Sequence, residues 1–347
     1  MSEHPDPGDG RHIDRALGDL HGEAAGIDVR DPDTAWPIAP GITPAIGAPT
    51  DAAPTTYYDL PVVKIAPWKA YIPTYFAIGG LAGAAASLAG VLELGARTRS
   101  TRALPHTLHA IATLGEAAGA ALLIADLGRP TRFHHMLRVF RPTSPMNLGT
   151  WILSAASATS ALGWLAALRG RRSPPVLSVA GIVSGALLST YTGVLIGNTA
   201  VPLWHATRRA VPPWFAALSV ASLGSTLELI APAHPVTRVY SIAGKTAQLA
   251  TGLAVASAAR TAGVDGPLRP PRGGSRSSAL WRTATLLGAA GLVASLWPTR
   301  GRRASLLAGA LGLASTVLGR FAITEAGRAS AADPRATFTP QRAAARP

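Results

Sequence analysis

The sequence predicts an all-α integral membrane protein with eight transmembrane helices. Three observations predict it. Of 347 residues, 48% are hydrophobic and only 14% are charged, against about 25% charged in a soluble domain. From residue 71 onward, eight apolar stretches each approach the ~20 residues that a helix needs to cross ~30 Å of hydrocarbon. The charges, finally, are unevenly placed. Residues 1–69 hold eleven acidic and five basic side chains, whereas 70–347 hold seven acidic and 27 basic. In that second part nearly every charge falls between apolar runs, the pattern of a polytopic protein with arginine-bearing loops.

The elements follow in order. Residues 1–56 are polar, acidic and rich in Pro, Asp, Gly and Ala, without sustained periodicity. They read as a disordered tail. No basic n-region leads into an apolar h-region there, so no cleavable signal peptide is expected. The membrane domain covers 57–327, and 328–347 reads as a second polar tail. The spans run over approximately 71–94, 104–127, 148–168, 175–198, 213–230, 239–259, 279–297 and 304–323. Links are short, except for ~20 residues after the second and sixth spans, longer than the common 2–8. Gly79/Gly83, Gly115/Gly119, Gly181/Gly185 and Gly193/Gly197 have GxxxG spacing. In lipid such pairs mark close helix contacts.

An even number of spans puts both termini on one face, called here the N-side. The opposite loops carry Arg97, Arg99, Arg102, Arg169, Arg171, Arg172, Arg238, Arg300, Arg302 and Arg303 and no acid. Positive-inside counting therefore places the far face in the cytoplasm and the N-side outside the plasma (inner) membrane.

The composition also excludes functions. The formal net charge of +14 invites a nucleic-acid reading. Aromatics are few, however, and arginines come in small groups at helix ends, so no basic, aromatic-studded face is expected. With no cysteine, the chain alone holds no thiolate metal site or iron–sulfur cluster. Among nine histidines only His106 and His109 fall within a span, both near the far end of the second. A haem needing axial His ligands from two facing helices is not expected, nor is any other metal.

The unusual polar and aromatic residues gather at the N-side. Tyr57–Pro61, Trp68, Pro73 and Tyr75 lie before or at the start of the first span. Asp126-Leu127-Gly128-Arg129-Pro130 ends the second. Arg132, Phe133, Met136, Arg138 and Phe140 follow, then Ser144–Asn147, with Gly149 and Trp151 opening the third. Tyr191 and Asn198 end the fourth. Asp126, Arg129, Tyr75, Tyr191, Asn198, His134 and His135 offer hydrogen bonds and proton transfer. That set suits a quinone head group, which needs a donor at each carbonyl and a nearby proton acceptor.

Each group also has a plain structural reading. Asp126 and Arg129, three apart, form a local ion pair in one reading and a redox-linked proton site in the other. His109, Thr113 and Glu116 share one helix face at i, i+4, i+7, giving either a proton path from the far side or structural pairing. Glu228 and Lys245 lie toward that side and are expected to form a salt bridge between adjacent spans. Glu93 is expected to reach the interface and pair with a loop arginine. Tyr75 and Tyr191 read equally as interfacial-belt aromatics.

The stretch Trp68-x-x-x-Ile72-Pro73-x-Tyr75-Phe76-x-x-Gly79-Gly80-Leu81-Ala82-Gly83 resembles the NrfD / polysulfide reductase membrane-subunit family. So do Tyr57–Pro61, Asp126–Pro130 with Arg132-Phe133, and Met136–Phe140 through Ser144-Pro145-Met146 to Gly149 and Trp151. Arg320-Phe321, Glu325-Ala326-Gly327, Ala329-Ser330-Ala331, Asp333-Pro334 and Thr337-Phe338 extend the likeness to about residue 340. The resemblance implies two four-helix bundles and oxidation or reduction of menaquinone or ubiquinone. It implies docking of a ferredoxin-like iron–sulfur subunit that relays electrons to or from a molybdopterin or cytochrome catalytic subunit. It also implies a quinone ring held between Tyr75 and Tyr191, although some members carry His at the first position. With Arg129, Asn198 and Trp151 added, Asp126 and Tyr191 are the expected reactive groups. A non-catalytic membrane anchor and a small-molecule or ion transporter are the rival readings.

Overall fold

The computed structural model describes residues 12–14, 19–21, 61–95, 103–269, 275–297 and 301–338. Two compact units divide the chain at Thr55/Thr56. In the first, His12–Asp14 and Asp19–His21 pair as an antiparallel hairpin, a local feature that the tail's composition does not announce. Most of the tail, together with Tyr57–Leu60, Arg97, Arg99, Arg102 and Arg300, lies outside the described residues.

The second unit is helical. Its long helices are α1 (Tyr71–Gly95), α2 (Ala103–Asp126), α4 (Pro145–Leu168), α5 (Pro175–Gly197), α7 (Val211–Ile230), α8 (Pro235–Thr261), α9 (Arg276–Leu296) and α10 (Arg302–Ala332). Two short helices, α3 (His135–Arg138) and α6 (Pro202–Ala206), lie in links. Seven of the long helices are long and apolar enough to cross a membrane, and the protein is a multi-pass membrane protein. The remaining one, α8, has 27 residues but a more polar composition.

Local chemistry sets the ends. Proline opens α4, α5, α6 and α8, where its missing N–H costs nothing. The Ser144 hydroxyl accepts from Asn147 N at the start of α4, and that of Ser275 from Ser278 N at α9. Gly170 and Gly263 take positive φ just past α4 and α8, closing those helices in the left-handed conformation that glycine tolerates. The last helix continues to Ala332, beyond the boundary at 327 expected from polarity, because Ser330 and Ala331 are buried.

Burial is inverted relative to a soluble protein. Val176, Val239, Leu253 and Leu286 are at least two-thirds exposed, while Glu116, Glu228, Lys245 and Arg320 are fully buried. Apolar side chains outward and polar ones inward is the arrangement that a hydrocarbon solvent rewards.

Helix α1 packs on α2 and α5, and α4 joins those two. Helices α7 and α8, α8 and α9, α9 and α10, and α10 and α7 pack in turn; α7 also meets α5, and both α7 and α10 meet α1. The glycine spacing marks real crossings. A Cβ on Gly83 would lie 2.6 Å from Gly185 O, and one on Gly193 would lie 2.7 Å from Pro212 Cα. Gly181, by contrast, has only Ala86 O at 3.8 Å.

Candidate functional site

The register of α1 on α5 fixes the depth of the candidate residues. Gly83 lies against Gly185 and Gly90 against Ser178. The two helices are thus antiparallel, and Tyr75 and Tyr191 sit within one turn of the same level. Tyr75 is buried, its ring over Gly79 and Gly119, where added Cβ atoms would be 3.2 and 3.1 Å away. The Tyr191 phenol occupies the space beside Gly149, and a Cβ there would overlap it. No hydrogen bond of either hydroxyl is found among the described residues.

Tyr191 borders a partly open cleft of about 360 Å³, lined also by Pro142, Thr143, Pro145, Leu148, Val194 and Asn198. Asn198 caps α5 through its backbone N–H, which donates to Val194 O. Its side-chain amide has no partner among the described residues. The cleft therefore combines apolar walls, a phenol and an amide at one membrane face.

Other candidates stand apart from that lining. Tyr75 is interior to it. Asp126 ends α2 half-buried, Arg129 is exposed on the following turn, and no ion pair joins them among the described residues. Trp151 is 37% exposed, and its ring meets Phe140 edge-on at 6.0 Å. Exposed Arg129, Arg132, Arg138 and Arg141 share the link with exposed Phe133, Leu137, Val139 and Phe140. Residue Asn147 holds this link: its Oδ1 accepts from Arg141 N at 2.7 Å, and its Nδ2 donates to Met136 O and Val139 O at 2.8 and 2.9 Å. Sequence reasoning had Asn147 in a motif but gave it no task.

Toward the far face, His109 and Glu116 are buried on α2. His109 Nε2 lies 3.1 Å from Glu93 Oε1, and Ser173 and Ser178 each donate to Glu93 at 2.9 Å. The expected loop-arginine partner of Glu93 is thus corrected: at the end of α1 its neighbours are His109 of α2, Ser178 of α5 and Ser173 of the link before α5. Ser160 donates to Glu116 at 3.1 Å.

The Glu228–Lys245 pairing is present, at 2.5 Å and fully buried. Lys245 also donates to Ser295 Oγ and Ala308 O, and Ser295 donates to the second Glu228 oxygen. Sequence reasoning gave Arg320 no role, yet it is fully buried between α10, α7 and α1. It donates to Ser219 Oγ at 2.9 Å and lies 5.6 Å over the Phe215 ring, opposite Gly80. Its place within an otherwise apolar span was the available signal. Trp204 of α6 donates to Ile323 O at 2.8 Å and stacks on Trp68 at 5.1 Å, tying the segment before α1 to α10.

Among the described residues no three His, Asp or Glu side chains cluster as a metal site. A family model described as polysulfide reductase, of the NrfD type, matches residues 54–333. No curated protein matches the chain.

Proposed function

The chain belongs to the NrfD-type polysulfide reductase family, whose membrane subunits work in complexes with other subunits, and from that premise we propose that it is the quinone-reactive subunit of a respiratory oxidoreductase complex. The observation that carries this reading is the cleft at Tyr191 and Asn198. Its ~360 Å³ falls within the roughly 300–1,000 Å³ of small-molecule sites. Its apolar walls suit a ring, and its unpaired hydroxyl and amide suit ring carbonyls. Menaquinone or ubiquinone, when bound, supplies two-electron, two-proton chemistry. The residues bind and orient: Tyr191 and Asn198 donate hydrogen bonds at the cleft, Tyr75 offers a second phenol at the same depth, and Leu148 and Val194 exclude water. Asp126, with Arg129 beside it, handles protons at the same face.

The chain has no cysteine, so electrons leave through another subunit. In this reading a ferredoxin-like iron–sulfur protein docks on the exposed 129–141 link, and a molybdopterin or cytochrome subunit lies beyond it. Helix α8 crosses the membrane as an eighth span. Its polar residues Thr237, Ser241, Lys245 and Gln248 are buried, and Val239 and Leu253 face outward. The packing order then makes two four-helix bundles, α1–α2–α4–α5 and α7–α8–α9–α10. The N-side faces outward from the plasma membrane.

One observation favours the anchor reading: Asp126 and Arg129 stay out of the cleft lining. The described long helices run unbroken, unlike the discontinuous helices of many transporters. The test is quinol-linked turnover of the assembled complex. Tyr191→Phe and Asp126→Asn are expected to lower it with assembly intact. Full activity in both would favour the anchor.

A further inference from the structure

The pairing of Glu93 leaves charge unbalanced on the far face. Its carboxylate is committed to His109, Ser173 and Ser178, and Glu228 is buried with Lys245. Exposed Arg169, Arg171 and Arg172 stand on the link between α4 and α5, with exposed Arg238, Arg302 and Arg303 elsewhere on that face. No exposed acid lies in the far-face links among the described residues. The 169–172 set is the densest, three guanidinium groups in four residues. None of the three has a side-chain hydrogen bond or ion pair among the described residues.

The turn that carries them is fixed at both ends. Gly170 N donates to Ala167 O at 3.0 Å and Arg171 N to Ala166 O at 2.9 Å. With Gly170 at φ 67°, these two bonds make the Schellman closure of α4. At the other end Ser173 is buried and tied to Glu93. Exposed apolar strips lead away from the turn on both helices: Leu162, Leu165 and Leu168 on α4, and Val176, Val179 and Val183 on α5. At 1.5 Å per residue the strip on α5 reaches about 10 Å into the hydrocarbon.

We propose that the α4–α5 link binds an anionic phospholipid, with its phosphodiester groups on Arg169, Arg171 and Arg172 and its acyl chains along the two strips. A guanidinium fork matches phosphate oxygens bidentately. A zwitterionic lipid brings a cation of its own beside the phosphate and so offsets the attraction. Three arginines exceed the charge of one phosphodiester. The lipid that fits them best is of the cardiolipin type, with two phosphodiesters and four chains. Free phosphate has the charge but no chains to cover the strips. Because Ser173 ends the link and holds Glu93, the bound lipid also braces the far ends of α1 and α5. The site is independent of the quinone reading.

The test titrates a fluorescent cardiolipin-type lipid into the delipidated full-length protein in neutral detergent. An arginine beside an anionic lipid contributes about fivefold to binding. Arg169→Gln, Arg171→Gln and Arg172→Gln should therefore each weaken binding about fivefold, and the triple variant about a hundredfold. Arg302→Gln with Arg303→Gln, at the exposed start of α10, should change it by less than about twofold. Chain-matched phosphatidylcholine should bind at least about tenfold more weakly. Inorganic phosphate should displace the lipid no better than chloride at equal ionic strength. The lipid should raise the Tm of the wild type but not of the triple variant. Wild-type affinity in the triple variant, or equal affinity for phosphatidylcholine, overturns the site. Displacement by phosphate well beyond that by chloride makes it a free-anion site and overturns the lipid. The single variants, on an exposed turn, carry the test where the triple variant fails to fold.

Discussion

Gly149→Ala tests how the cleft is built. An added Cβ would overlap Cζ, Oη and Cε1 of Tyr191, so the phenol cannot stay where it is. The atoms met are the far end of the Tyr191 side chain, which borders the cleft, so the ring gives way rather than the α4–α5 packing. The local effect is displacement of the Tyr191 hydroxyl from the cleft. Losing one neutral hydrogen bond is worth about 0.5–1.5 kcal/mol, or roughly a two- to twelvefold weaker affinity. Tyr191→Phe should therefore weaken binding of a fluorescent hydroxyquinoline N-oxide within that range. Gly149→Ala should weaken it at least as much, because the whole ring moves. The double variant should be little worse than Gly149→Ala alone, since the two changes share one group. Gly266→Ala, where nothing lies within 4 Å of an added Cβ, serves as the control. Fluorescence titration of the purified complex reads all four. Wild-type affinity in Gly149→Ala, or fully additive losses in the double variant, would refute the assignment of the Tyr191 hydroxyl to the ligand.

Lys245→Met removes the cation from a fully buried pair and should destabilise the protein by about 3–5 kcal/mol, read as a fall in detergent-solubilised Tm. Adding Glu228→Leu should recover most of it. Asn147→Ala removes three hydrogen bonds to the 136–141 link, so trypsin should cut at Arg138 and Arg141 at least about threefold faster, as opening becomes less costly. The absence of cysteine makes single-cysteine labelling direct. Val239→Cys and Leu253→Cys, on the outward face of α8, should resist a membrane-impermeant maleimide in vesicles, and a cysteine at exposed Arg171 should react.

The spans were legible because apolar runs of ~20 residues have few other meanings. Gly83 and Gly185 announced close helix contacts through their spacing, though not that they face each other, and Glu228 with Lys245 announced a pair through charge in a hydrophobic setting. The polar N-side group was visible as a clustering of motifs. What sequence could not resolve was direction around each helix. Tyr191 and Trp151 belong to the same end of the same region, yet one lines a cleft and the other meets Phe140. The Glu93 side chain looked like an interfacial group because it is near a helix end, but which helices cover that end depends on packing order. Helix α8 reads as weakly apolar because its polar residues turn inward, so an average over the sequence hides a well-defined face. The role of Asn147 depends on the fold of an irregular link, for which no periodicity exists to read.

Photolabelling of the assembled complex with an azidoquinone, followed by peptide mapping, reads whether a quinone binds between α4 and α5 at the Tyr191 cleft. Saturable label is expected on residues 142–148 and 191–198, competed by unlabelled quinone and needing a higher probe concentration in Gly149→Ala. Saturable label confined to other segments, or no saturable label on this chain, would contradict it.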